Sequence, residues 1–261
     1  MEVKDKIYYT RTYRRLKKSL IKSVLYLCLL VIPVVTIFIF NIGNITRLMS
    51  KLAVRILGKV YPGIPLYIRE DSFSILGTIE FVELPTVYPE ISFVVLNLIV
   101  VLSLVIFLST GSRKGKPISV YLSIMFLVHI INCIYFIFAA NFFPYTAFQY
   151  SILYMKQQIG IWLTFIILTG LITGLLGAKG VLYRVTAFFA VLLYSLIFGT
   201  IRYVLFLYII EEFSIIYMAL LFFALGPFFD FLYLVAIYGI YMNKMIKLYD
   251  TKTGRGEWLW S

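Results

Sequence analysis

Charge is what this 261-residue sequence has least of. Asp, Glu, Lys and Arg make up 14% of it, where a soluble domain carries about 25%. Set against 62% hydrophobic residues, that shortage excludes soluble globular and disordered classes. Cysteine is almost missing. Cys28 and Cys133 both fall in apolar runs, which excludes a disulfide framework and a Cys-rich metal site. The sequence has one histidine, His129, and no carboxylate cluster, so no metal and no cofactor is expected. The patterns G-x-x-x-x-G-K-[ST], H-E-x-x-H and G-x-S-x-G are all absent. Acids are scarce as well, 12 against 24 basic residues. In a soluble protein that surplus points to nucleic acid. Membrane proteins retain Lys and Arg in cytoplasmic loops, so no nucleic-acid partner is expected here.

Long apolar runs are what the sequence does have. Six spans are predicted: about Ser23–Ile42, Ile91–Thr110, Ile118–Ala140, Ser151–Gly177, Val185–Ile210 and Phe213–Met242. Each reaches the ~20 residues that cross ~30 Å of hydrocarbon as a helix. Helices are required, because each backbone group must be satisfied within its own segment. The first span follows eight basic residues between Lys4 and Lys22, and no small-x-small site comes after it. It reads as a signal anchor in a multi-pass protein of the cell membrane.

The expected fold is therefore all-α and polytopic, one membrane domain over 1–261. Residues 1–22 form a basic cytoplasmic N-terminus, 43–90 an extracytoplasmic segment, 91–243 a helical bundle and 244–261 a cytoplasmic tail. With both termini inside, the inner side holds 17 basic residues against four acids. The outer side holds six basic residues against seven acids. The positive-inside bias thus favours N-in and C-in. Phe142, Phe143, Tyr145, Phe148 and Tyr150 fit an outer aromatic belt, and Trp258 and Trp260 an inner one.

Residues 43–90 carry two patterns. Ile45, Leu48, Met49, Leu52 and Ile56 fall on one helical face, with Arg47, Lys51, Arg55 and Lys59 on another and Asn44 as N-cap. This predicts an interfacial amphipathic helix, its cations at lipid headgroups or on an anionic polymer. Beyond Pro65 the period becomes two. Phe73 and Ile75, then Ile79 and Phe81, alternate with polar residues around Gly77, which predicts a short β-hairpin.

Ionisable residues inside spans are functional candidates, because their burial is costly. Arg202 lies in span five and Asp230 in span six. Their depths differ by roughly 13 Å on straight helices, so a direct pair requires Gly226–Pro227 to break span six. Otherwise Arg202 snorkels toward Glu211 and Glu212 or binds an anion. His129, Asn132 and Cys133 share one face of span three. A Cys–His pair is a candidate nucleophile and base, although a thiol in apolar surroundings is usually inert. Gln157 and Gln158 are candidates for polar packing or a pore mouth.

The order of these parts resembles the exosortase/archaeosortase family, polytopic membrane transpeptidases that process C-terminal sorting signals of exported proteins. The resemblance covers about residues 60–175. It rests on the hairpin Ser72–Glu83, which ends at Leu84-Pro-Thr-Val87, and on the spacing to His129-Ile-Ile-Asn132 and Gln157–Gln158. The family's Cys position corresponds to Thr86, its Arg position to Asn132 and its His position to Gln157–Gln158. All three side chains differ. A second alignment sets Arg202, in Gly199-Thr-Ile-Arg202, in the Arg position across a long insertion. The resemblance implies a non-catalytic protein that binds a partner or an exported segment in surface-protein or polysaccharide export. Two other readings stay open. One is an active membrane transpeptidase using Cys133 and His129. The other is a transporter or a subunit of a larger membrane complex.

Overall fold

In the computed structural model, residues 14–16, 20–110, 116–175, 181–249 and 258–260 are described. Most of the basic segments behind the orientation argument (4–13, 111–115, 176–180, 250–257) lie outside these, as do the side chains of Trp258 and Trp260. Six helices are long and apolar enough to cross a membrane: Ser23–Phe40, Ile91–Ser109, Pro117–Phe142, Ala147–Gly174, Val181–Glu212 and Ile215–Lys244. The protein is a multi-pass helical membrane protein, and the span ends fall within about one turn of those expected.

The chain order is β1 (Arg14–Leu16), α1 (Leu20–Tyr26), α2 (Ile32–Phe40) and α3 (Ile42–Val60), then β2 (Tyr67–Ser72) and β3 (Thr78–Glu83). It continues with α4 (Ile91–Ser109), α5 (Pro117–Ala139), α6 (Ala147–Leu175), α7 (Val181–Glu212), α8 (Gly226–Tyr249) and β4 (Trp258–Trp260). Two of the spans are interrupted by π turns, at Leu27–Val31 and Leu220–Leu225. A proline follows each, Pro33 and Pro227. Proline lacks an N–H, and its ring collides with the carbonyl four residues back. Those carbonyls belong to Leu29 and Phe223, inside the two widened turns, where the collision is relieved.

The chain divides into two compact units. One comprises Met1–Val35, Thr164–Leu192 and Leu234–Ser261. In it β1 pairs antiparallel with β4, and Tyr26 and Thr173 share a hydrogen bond of 3.1 Å between their hydroxyls. A Cβ on Gly170 would stand 2.4 Å from Val31 Cγ2, so only glycine permits this approach. Thr169, Val191 and Leu234 are among the residues around a cavity of about 120 Å³.

The other unit comprises Thr36–Leu163 and Leu193–Tyr233. Its core is aromatic, with Phe81, Tyr150, Tyr154, Trp162, Tyr203 and Phe206 all buried. The start of α6 is set by a capping box. Thr146 Oγ1 accepts from Gln149 N at 3.3 Å, and Gln149 Oε1 accepts from Thr146 N at 2.9 Å. Tyr150 lies buried against Phe222 rather than in an aromatic belt, because the first turn of α6 faces inward.

The segment 43–90 departs from expectation in three respects. Helix α3 begins at Ile42, so Asn44 is inside it and caps nothing; its amide donates to Asn41 Oδ1. Met49 leaves the predicted apolar face and is buried with Ala53 and Leu57, while Leu48, Leu52 and Ile56 remain exposed. The buried stripe is narrow because it packs on the hairpin, which leaves the second stripe exposed. Phe73 and Ile75 lie in the turn rather than in a strand. Gly77 adopts φ +94°, and Phe73 N donates to Gly77 O at 2.8 Å to close the turn. The first strand is instead Tyr67–Ser72, whose charged residues belong to an exposed edge.

Candidate functional site

Tyr150, Tyr154, Gln158 and Trp162 recur every four residues, so α6 presents one polar-aromatic stripe. All four are buried. Facing them, α7 presents Gly199, Arg202, Tyr203 and Phe206. Gly199 is needed there: a Cβ at this position would lie 2.7 Å from Gln158 Nε2. The released space admits Gln158, and Gly199 O accepts the Tyr154 hydroxyl at 2.9 Å.

Arg202 is only 2% exposed, yet each part of its guanidinium is engaged. Nε donates to Tyr154 Oη at 2.9 Å, Nη2 to Gln158 Oε1 at 2.6 Å and Nη1 to Gly226 O at 2.7 Å. Nη1 also stands 2.8 Å from Asp230 Oδ2, an ion pair. The rings of Tyr154 and Phe206 lie 5.4 and 5.9 Å from the guanidinium carbon and add cation–π attraction. A lone buried charge costs several kcal/mol; here the cation and the acid cancel.

The break in span six is what lets them meet. The π turn and Gly226–Pro227 free carbonyls from the helical ladder, and neighbouring side chains take them up. Ala224 O accepts from the Tyr121 hydroxyl at 2.8 Å. Phe222 O accepts a long 3.5 Å bond from Gln157, and Gly226 O accepts from Arg202. The depth mismatch expected on straight helices is thereby removed. Arg202 meets Asp230 directly and does not reach toward Glu211 or Glu212. Glu212 instead accepts from the Tyr61 hydroxyl at 2.7 Å. Burial, then the adjacent Glu212 carboxylate, raises the Tyr61 phenol above its ordinary range.

The clasp is tied to the hairpin. Tyr203 stacks on Tyr154 with ring centroids 5.0 Å apart. The Tyr203 hydroxyl shares a 2.6 Å bond with Ser151 and accepts from Val82 N at 2.9 Å. Glu80 N donates to Thr46 Oγ1 at 3.1 Å, and Ser50 Oγ donates to Glu80 O at 3.0 Å. Arg47 of α3 pairs with the Glu80 carboxylate. All four cations of that helix are exposed, and Arg47 among them is tied to the hairpin.

A second cluster forms on the turn Ile215–Tyr217. Val87 O accepts from Ile215 N at 3.0 Å, and Asn132 donates its amide to Ile216 O. His129 stacks on Tyr217 with centroids 5.0 Å apart, and the Tyr217 hydroxyl donates to Asn97 Oδ1 at 2.5 Å. Among the described residues neither His129 nitrogen has a hydrogen-bond partner, so no bond joins His129 to Cys133. A thiol–imidazole dyad is not assembled.

The three positions carried by the family resemblance are thus divided. Thr86 Oγ1 accepts from Ala147 N at 3.0 Å, a helix cap beside the turn that Asn132 also holds. Gln157 and Gln158 lie ten and eleven residues further along α6, about 15–16 Å at helical rise, and engage the broken helix and Arg202. Tyr154, Gly199, Tyr203 and the Gly226 carbonyl were missed by sequence reasoning. The four-residue repeat from Tyr150 to Trp162 was the available signal. No protein-family model, curated protein or solved structure matches this chain.

Proposed function

We propose that this chain is a non-catalytic, exosortase-like protein of the cell membrane that holds an extended segment of an exported partner. The single supporting observation is the state of the hairpin edges. Glu80 and Val82 direct their N–H groups away from β2, to Thr46 and Tyr203. Residues directly opposite in an antiparallel pair point the same way with respect to the ladder. Glu70 faces Glu80 and Ile68 faces Val82, so both turn their backbone groups outward on the other edge. Among the described residues nothing pairs with that edge. An unpaired edge accepts an extended chain by strand addition. The charges of Arg69, Glu70 and Asp71 along it oppose self-pairing. Thr86 as a helix cap and a Cys133 to which His129 makes no bond fit a binding role better than a nucleophilic one.

Proline at an outward position removes a donor and leaves the ladder intact. Ile68→Pro and Glu70→Pro should therefore abolish partner capture while the protein stays folded. The check is a photo-crosslinking residue at Tyr67 in intact cells. A crosslink to an exported chain, lost in either proline variant, supports the reading. Crosslinks to lipid or to a second copy alone would reject it.

A further inference from the structure

A second buried arginine has a different environment. Arg184 stands in the first turn of α7, where the positive end of the helix dipole adds to its own charge. It is 3% exposed. Its guanidinium lies over the Tyr26 ring, 5.5 Å from the centroid, and Nη1 reaches Thr173 O only at 3.5 Å. Nε is buried and donates to no described residue. Among the described residues no carboxylate pairs with it. Arg202 has an acid, an amide, a phenol and a carbonyl; Arg184 has one long bond and a ring.

Directly beside it runs a groove of about 530 Å³. Leu25, Leu29, Leu30, Val181 and Val185 form its walls, and Arg184 is its one charged lining residue. All belong to membrane-spanning helices or their first turn. A site with an unneutralised guanidinium at one point and aliphatic walls elsewhere matches an anionic amphiphile. A free phosphate would gain nothing from the walls, and a neutral lipid would leave the charge unmet.

We propose that this groove is a specific site for one anionic phospholipid. Its phosphodiester accepts hydrogen bonds from Arg184, held in place by the Tyr26 ring, and an acyl chain lies along Leu25, Leu29 and Val181. None of the cations of α3 takes part. A charge-assisted bond to phosphate is directional and strong, so the lipid supplies a counter-ion that no described residue does.

Native mass spectrometry of the full chain in detergent tests this, with phosphatidylglycerol, phosphatidylcholine and inorganic phosphate as probes. The wild type should retain one phosphatidylglycerol in preference to phosphatidylcholine, undisplaced by millimolar phosphate. Arg184→Gln should weaken that tightest site at least tenfold. Leu29→Trp keeps the cation, fills the groove from an exposed position, and should weaken it similarly; it decides the matter if Arg184→Gln does not fold. Equal retention by a folded Arg184→Gln protein, or by Leu29→Trp, overturns the proposal. So does equal retention of phosphatidylcholine, or displacement by inorganic phosphate.

Discussion

The Arg202 clasp and the His129 stack are both buried within one unit, and they treat their polar atoms in opposite ways. Side chains of α6, with the Gly226 carbonyl and the Asp230 carboxylate of α8, engage every nitrogen of the Arg202 guanidinium. His129 stacks by its ring face, and neither nitrogen bonds to a described residue. The first arrangement depends on each member, because removing one strands the others. The second depends on shape. A buried ionisable residue is thus no single kind of signal: what matters is whether its partners are supplied.

The largest effect that separates the two should come from Asp230→Leu, which leaves the Arg202 cation without its acid. A loss of about 3–5 kcal/mol is expected, as for other broken buried pairs, read as a large fall in melting temperature in detergent. Arg202→Met combined with Asp230→Leu should lose clearly less than Asp230→Leu alone, because no charge is then stranded. A double variant as unstable as the single one would mean that hydrogen bonds, not charge, hold the clasp. Next in size is Gly199→Ala, which drives a methyl into Gln158 and should cost about 1–3 kcal/mol by overpacking. In the other cluster, Asn132→Leu should cost about 1–2 kcal/mol by orphaning Ile216 O. His129→Phe keeps the stack on Tyr217 and removes two unbonded nitrogens, so stability should stay within about 0.5 kcal/mol or rise. A marked loss would show that His129 has a partner.

The smallest effect belongs to a half-buried pair, Lys156 with Asp71 at 2.7 Å. The hydrogen bond from Lys156 lowers the Asp71 carboxyl below the ordinary carboxylate range. Its stabilising share is present above the unfolded carboxylate value and is lost as pH falls through the lower folded one. Solvent screening keeps it to about 0.5 kcal/mol or less. Asp71→Asn should flatten only the most acid limb of a stability–pH curve.

The six spans and the existence of a hairpin were legible because hydropathy and period are averages over many residues. The clasp was half legible. Arg202 and Asp230 stood out as charges in apolar runs, and Gly226–Pro227 marked the one way they could meet. Gln158 reads in sequence as polar packing or a pore mouth, because sequence does not say which face of α6 turns toward α7. Tyr154 and Gly199 were invisible as single residues; a tyrosine among 21 and a glycine among 16 carry no label until packing assigns one. The strand limits shifted for a local reason. Positive φ at Ser74 and Gly77 takes Phe73 and Ile75 out of the ladder.

The π turn at Leu220–Leu225 also fixes an angle. Each residue of an α-helix advances the side-chain direction by about 100°, and a widened turn acts as a local insertion that resets the count. Everything after it, Asp230 included, owes its bearing to that one extra step. Deleting a single residue such as Phe223 would remove the extra step of the turn and return the Pro227 ring to its collision with the carbonyl four residues back. It would also swing Asp230 away from Arg202 by roughly a quarter of a revolution. Chain length within this turn is therefore under tighter constraint than the identity of its leucines and phenylalanines, and substitutions there should be tolerated far better than single-residue deletions.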